Sequence, residues 1–213
     1  MHTVKRGLKP DSLNINSTKW TNELLQQVPL YNKFSDIPSK YVNKYKQADV
    51  KDTLKEMYKG LCCYCESPIG IQTYEQIEHL RPKSIFHDKC FQWENLHLSC
   101  EVCNISYKKD KWDNVNTILD PTKDNIGKYL KIDLDTGEIL PINNNPRAIT
   151  TINHVGLNRE DLLKRRRNIL VILKKSLIMY NKSNQVEEFK TNLVLLSKEM
   201  GYKLLFDTFI GIL

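Results

Sequence analysis

Apolar residues recur at helical spacing towards both ends of the chain and in short strand-like runs between them. Trp20, Leu24, Leu25, Val28 and Tyr31, followed by Val50, Leu54, Met57 and Tyr58, predict short amphipathic helices separated by a turn region at 36–40. From residue 158 the series Leu162, Ile169, Ile172, Leu173, Ser176, Leu177 and Tyr180 predicts a long helix, with Asn158 as its N-cap and Glu160 and Asp161 favourable in its first turn. A second series, Val186, Phe189, Leu193, Leu196 and Met200, runs to Gly201. The tail beyond it, with Leu204, Leu205, Phe206, Phe209, Ile210 and Leu213, is strongly apolar, so it packs within this chain or serves a partner.

The middle of the chain has a different rhythm. Short apolar runs at 75–80 and 95–99 predict two strands joined by a loop and followed by a helix. In KYLKIDLDTGEILP, residues 128–141, Leu130, Ile132 and Leu134 alternate with polar neighbours, and Asp135-Thr136-Gly137 turns the chain into Ile139, which predicts a hairpin. The resulting division is a helical segment at 1–58, a cysteine-bearing core at 59–111, a connector with a hairpin at 112–157 and a helical region at 158–213. The 213 residues suffice for one or two compact units.

Charge adds a direction. Lysine and arginine total 32 against 25 acidic residues, a net +7 with a pI near 9.0, which favours an anionic partner such as nucleic acid. The densest run, Lys164-Arg165-Arg166-Arg167, falls in the helical pattern and is expected to form a solvated face. No apolar stretch approaches the roughly 18 residues needed to span a bilayer, and the first residues lack the apolar middle of a secretory signal, so a cytoplasmic protein is expected.

In a reducing compartment the six cysteines, all within 62–103, point to metal rather than disulfides. Cys62/Cys65 and Cys100/Cys103 are two CxxC pairs, and four thiolates close a tetrahedral structural Zn2+ site. Cys63 would pair with Cys65 only as CxC, so zinc is assigned to Cys62, with Cys63 left unassigned and Cys90 read as a buried thiol.

The residues between the pairs carry the chemistry. In Ile77-Glu78-His79-Leu80-Arg81-Pro82-Lys83 a carboxylate and an imidazole adjoin beside two cations. Phosphodiester hydrolysis needs a base for water, a divalent cation for the developing charge, and positive groups for the backbone. Neighbours on a regular strand face opposite ways, so Glu78 and His79 share a site only where the strand ends, and Pro82 favours an early end. Asn95 opens the second predicted strand, and Asn104 follows the last cysteine directly. Arg81, Lys83, Lys108 and Lys111 cluster around this segment and are candidate phosphate contacts. His97 lies in an apolar run and reads as a core histidine, while His2, His87 and His154 have no companion ligands.

CxxC, an acidic residue with His, Asn-Leu, and CxxC followed by Asn occur here in the order of the HNH nuclease superfamily, which this chain resembles. The resemblance implies an α+β fold with a zinc-stapled ββα-metal core and helical N- and C-terminal flanks. It implies His79 as general base, Glu78 and Asn104 as ligands of a catalytic Mg2+ or Mn2+, and Asn95 as brace of the loop orienting His79. Wider pieces, among them MHTVKRGLKP, GLCCYCE, IEHLRPKS and TINHVGLNREDLLKRRR, resemble the nuclease subunits of Septu antiphage systems, which also occur beside retron reverse transcriptases. That likeness implies assembly with a PtuA-type ABC ATPase and, in the retron setting, with a reverse transcriptase and its RNA–DNA product. The chain has no phosphate-binding GxxxxGK[ST] loop, so nucleotide control falls to such a partner. DNA is the first-choice substrate, with transfer RNA kept open because phosphate contacts serve both polymers. A zinc-dependent nucleic-acid-binding module that does not cut, or a structural adaptor, is the competing class.

Overall fold

The computed structural model describes residues 1–70, 74–182 and 185–213. The described residues form an α+β protein with helical flanks and two separate two-stranded antiparallel sheets. They fall into two compact units, one of residues 4–62 and 69–114, the other of 1–3, 63–68 and 115–213.

The first unit begins with α1 (Asp11–Gln27), followed by the single-turn α2 (Ser39–Val42) and α3 (Ala48–Tyr58). The start of α1 is completed from α3: Asp49 accepts hydrogen bonds from the Ser12 backbone N–H at 2.9 Å and the Ser12 hydroxyl at 2.7 Å, satisfying one of the donors that every helix start leaves open. Leu13, Leu24, Val50 and Leu54 are completely buried, each contributing roughly 1.5–3 kcal/mol of transfer free energy. The end of α3 is enforced by two left-handed residues, Lys59 at φ 53° and Gly60 at φ 68°. Gly60 N–H bonds back to Lys55 O at 3.0 Å, closing the helix and releasing the chain towards Cys62.

Strand β1 (Glu75–His79) pairs antiparallel with β2 (Leu96–Cys100), Glu75 opposite Cys100 and His79 opposite Leu96. Both boundaries fall within one residue of the runs expected from the sequence. The expected following helix is a π-helix, Val102–Lys108, in which Lys109 N–H bonds to Asn104 O at 2.7 Å. The wider turn is an uncommon geometry that concentrates at functional sites.

In the second unit the expected hairpin is present, β3 (Leu130–Ile132) against β4 (Ile139–Pro141). Gly137 in its turn has φ 75°, and a Cβ there would come within 3.3 Å of the Arg166 side chain. Helix α4 (Pro146–His154) is capped by the Asn145 side chain, which accepts from Ala148 N–H at 3.2 Å. Three helices follow: α5 (Glu160–Lys182), α6 (Val186–Met200) and α7 (Lys203–Ile210).

Three expectations for this unit are corrected. Asn158 does not cap α5: its side chain clasps β4, accepting from Ile139 N–H and donating to Ile139 O, both at 2.8 Å. The basic run is not uniformly solvated, because Arg166 is buried and donates to Leu157 O at 2.7 Å. The buried stripe of α5 is Leu162, Leu163, Arg166, Ile169, Leu170 and Leu173, leaving Ile172 exposed. The apolar tail is accommodated mostly within the unit, with Leu205, Phe206 and Phe209 buried.

Candidate functional site

Strand β1 ends at His79, and at that end Glu78 and His79 both line one cavity of about 540 Å³ in the first unit. The sharing is not confined to the strand end, because Glu75, Gln76 and Ile77 line the same cavity. Asn104, Lys83 and Lys108 line the same cavity.

The His79 ring has a defined tautomer. Its Nε2 lies 2.9 Å from the carbonyl oxygen of Cys90. A carbonyl only accepts, so Nε2 carries the proton and Nδ1 is the basic nitrogen. Burial, reinforced by the nearby ammonium groups of Lys83, Lys108 and Lys46, pushes His79 down to about 3, which keeps the imidazole neutral at pH 7. The Cys90 thiol is pushed by burial up to about 12 and stays protonated.

The loop between β1 and β2, which supplies the Cys90 carbonyl, is tied to the strand ends by Asn95. Asn95 Oδ1 accepts from Arg81 N–H at 2.8 Å, and its Nδ2 donates to Arg81 O at 3.0 Å and Lys89 O at 3.1 Å. The amide uses both of its ends on backbone groups, which only Asn or Gln can do without carrying charge.

Glu78 is buried and ion-paired with Lys108, Nζ to Oε1 at 2.6 Å. The same ammonium donates to His79 O at 2.8 Å. Lys108, expected as a phosphate contact, is only 1% exposed and is committed to the Glu78–His79 strand end. The other basic candidates divide: Lys83 lines the cavity, whereas Arg81 and Lys111 are exposed and absent from its lining. Arg81 packs its guanidinium against the rings of Phe86 and Trp112, 5.7 Å from each centroid.

The cysteine pairs converge. The Sγ atoms of Cys62, Cys65, Cys100 and Cys103 all lie within 4.8 Å of one another, and all four residues are buried. Cys103 N–H points to Cys100 Sγ at 3.4 Å, the backbone-to-sulfur bond that stabilises a thiolate knuckle. Four soft ligands with such close sulfurs fit Zn2+ and suit a structural site with no open position. Cys63 is not part of this group.

Residues 62–111 match the HNH endonuclease family. The chain is also 31% identical over 154 aligned positions to Septu protein PtuB of Bacillus mycoides (strain KBAB4), covering 59% of this chain and 52% of that protein. It is 30% identical over 131 positions to Septu protein PtuB of Bacillus thuringiensis, covering 61% and 45%. The chain thus spans about half the length of the curated relatives it matches.

Sequence reasoning missed part of the cavity wall, both outside and inside the matched stretch. Tyr45, Lys46 and Lys51 come from the segment joining α2 to α3 and from α3 itself, and Lys109 and Asp110 follow the π-helix. Lys51 is paired with Glu75 at 3.0 Å. Lys109 and Asp110 lie beside Lys108 in the basic cluster and were within reach of a charge argument. Tyr45 and Lys46 carry no motif, and only the fold brings them to His79. His97, by contrast, is the core histidine its apolar surroundings predict: it is fully buried between the Tyr58 hydroxyl, 2.6 Å from Nδ1, and Arg6, 3.2 Å from Nε2. Among the described residues no helix is long and apolar enough to cross a membrane.

Proposed function

We propose that this chain is the nuclease component of an antiphage defence system, hydrolysing phosphodiester bonds of nucleic acid with a divalent cation. The observation that carries this reading is His79, a buried neutral imidazole whose Nε2 is tied to Cys90 O and whose Nδ1 is the basic nitrogen in a lysine-bearing cavity. A solvated zinc module that only binds has no need of a buried, tautomer-defined histidine beside an acid.

Glu78 and Asn104 offer hard oxygen donors to the same cavity, which suits Mg2+ or Mn2+ better than a soft metal. A carboxylate has about four acceptor positions, so the Lys108 bond on Oε1 is compatible with a cation on the same group. Bound there, the cation would stabilise the charge that develops on the phosphate and leaving oxygen. His79 Nδ1 takes the proton of the attacking water, and the Cys90 carbonyl steadies the imidazolium that results. Lys83, Lys46 and Lys109 present positive charge to the backbone phosphates. DNA is the first-choice substrate. In keeping with the PtuB relatives, the working assembly is a cytoplasmic complex with a PtuA-type ABC ATPase.

Zinc-loaded chain, combined with its neighbouring ATPase and Mg2+, is incubated with separate pools of duplex DNA and transfer RNA, wild type beside His79→Ala. Cleavage by wild type alone supports the mechanism, and the pool that is cut identifies the substrate class. Equal cleavage by both proteins sinks it. Retention of nucleic acid without cutting under any metal condition favours a binding module instead.

A further inference from the structure

The turn joining α2 to α3 lies outside the HNH stretch, yet it delivers Tyr45 to the cavity wall. Lys46 N–H donates to Asn43 O at 3.0 Å and Gln47 Nε2 to Lys44 O at 2.8 Å, so the turn is closed on both sides of the tyrosine. The Tyr45 side chain makes two contacts with groups assigned to the reaction. Its ring meets the His79 imidazole edge to face, centroids 4.6 Å apart and planes at 87°. Its hydroxyl accepts a hydrogen bond from Lys83 Nζ at 2.8 Å, and the same ammonium lies 4.7 Å from the ring centroid.

Both groups need such a contact. The outer torsion of a histidine is a broad one, and the single hydrogen bond to Cys90 O fixes one point of the ring without fixing its tilt. Lysine is a point charge on a flexible four-carbon stem with three donors. One donor on a buried hydroxyl localises the ammonium and leaves the others for phosphate oxygens. Any buried tyrosine needs a partner for its hydroxyl, but here the partner is Lys83 and the ring's neighbour is His79, the two groups that the reaction uses.

We propose that Tyr45 is a positioning residue of the nuclease site, its ring setting the orientation of the His79 imidazole and its hydroxyl setting the Lys83 ammonium. The proposal rests on the reading of His79 as the base, and the two are separable by experiment. It also makes the working site larger than the stretch from 62 to 111, since its base is oriented by a residue of the preceding helical segment.

Two measurements on the full, zinc-loaded chain test it, one independent of activity. Nitrogen-15 NMR of the imidazoles, with His79→Gln for assignment, is expected to show His79 as a single Nε2–H tautomer in wild type and in Tyr45→Phe. Tyr45→Ala is expected to give averaged or broadened His79 signals with zinc content unchanged. In cleavage of duplex DNA and transfer RNA pools with Mg2+, Tyr45→Ala is expected to lower kcat by about tenfold or more, because small misplacements of a base are costly in rate. Tyr45→Phe is expected to keep kcat within about threefold and to raise KM by about threefold or more, since it frees only Lys83.

Unchanged His79 signals in Tyr45→Ala overturn the proposal, as does a Tyr45→Phe enzyme with wild-type KM. Should Tyr45→Ala lose zinc and fold, the KM of Tyr45→Phe still decides the hydroxyl's role. A wild-type His79 protonated on Nδ1, or a His79→Ala protein that still cuts, instead counts against the base assignment.

Discussion

Lys108 Nζ sits 2.6 Å from Glu78 Oε1, and neither side chain is more than 2% exposed. Removing one member of such a pair leaves an uncompensated buried charge, at a cost of about 3–5 kcal/mol. Lys108→Met is therefore expected to lower the unfolding free energy by about 3 kcal/mol, and Glu78→Gln combined with Lys108→Met to recover at least half of it. Urea unfolding at saturating zinc measures both. Equal losses in the single and double variants would mean that the pair is not what holds the strand end.

The cysteine cluster and the histidine are predicted to separate cleanly. Cys100→Ser removes one of four sulfurs and is expected to lose metal and fold together, because binding free energy at a structural zinc site is folding free energy. His79→Ala is expected to retain about one zinc per chain. Elemental analysis after dialysis distinguishes the two, and zinc lost from His79→Ala would reassign the ligands.

Asn95 is predicted to act on the site from outside the cavity. Asn95→Ala leaves Arg81 N–H, Arg81 O and Lys89 O without their side-chain partner, which is expected to cost about 2 kcal/mol. The loop carrying the Cys90 carbonyl then loosens, so cleavage should fall while zinc content stays intact. Hydrogen exchange at Arg81 N–H reads the loosening directly. Protection equal to wild type would rule this role out.

A buried neutral histidine has a pH signature. His79 binds its proton only near pH 3 when folded, against about 6.5 when unfolded, so between those values the unfolded chain takes up more protons. Stability attributable to His79 is thus present above about pH 6.5 and falls as pH drops towards the folded value. From pH 7 to pH 5 the wild type should lose about 2 kcal/mol relative to His79→Ala. Parallel stability curves for the two proteins would show that the imidazole is solvated and titrates normally.

The parts of this fold that were readable in the sequence are those set by local pattern. The strand pair followed from two short apolar runs, and the hairpin from alternation ending in Asp135-Thr136-Gly137. The helical flanks followed from apolar periodicity. The four cysteines came together because CxxC spacing is itself a geometric statement. What escaped reading depends on tertiary choice. Asn158 has the chemistry of a cap but binds β4, whose open backbone groups compete for it. Arg166 looks like one cation among four, and only packing selects it for burial. Tyr45 reaches His79 across more than thirty intervening residues, a distance no motif spans. Lys108 was expected to face phosphate because it stands in a basic cluster. A buried Glu78 placed beside it has the stronger claim on its charge.

Strand β2 starts immediately after Asn95 and finishes on Cys100. The brace of the loop and a zinc ligand are thus spaced by one short stretch of extended chain. Losing or gaining a residue there would turn every following side chain to the opposite face. Cys100 would then be carried away from the other sulfurs in the same step that pulls Asn95 off Arg81 and Lys89. Residues 96–99 act as a ruler: exchange of one apolar side chain for another should be tolerated far better than any change in their number.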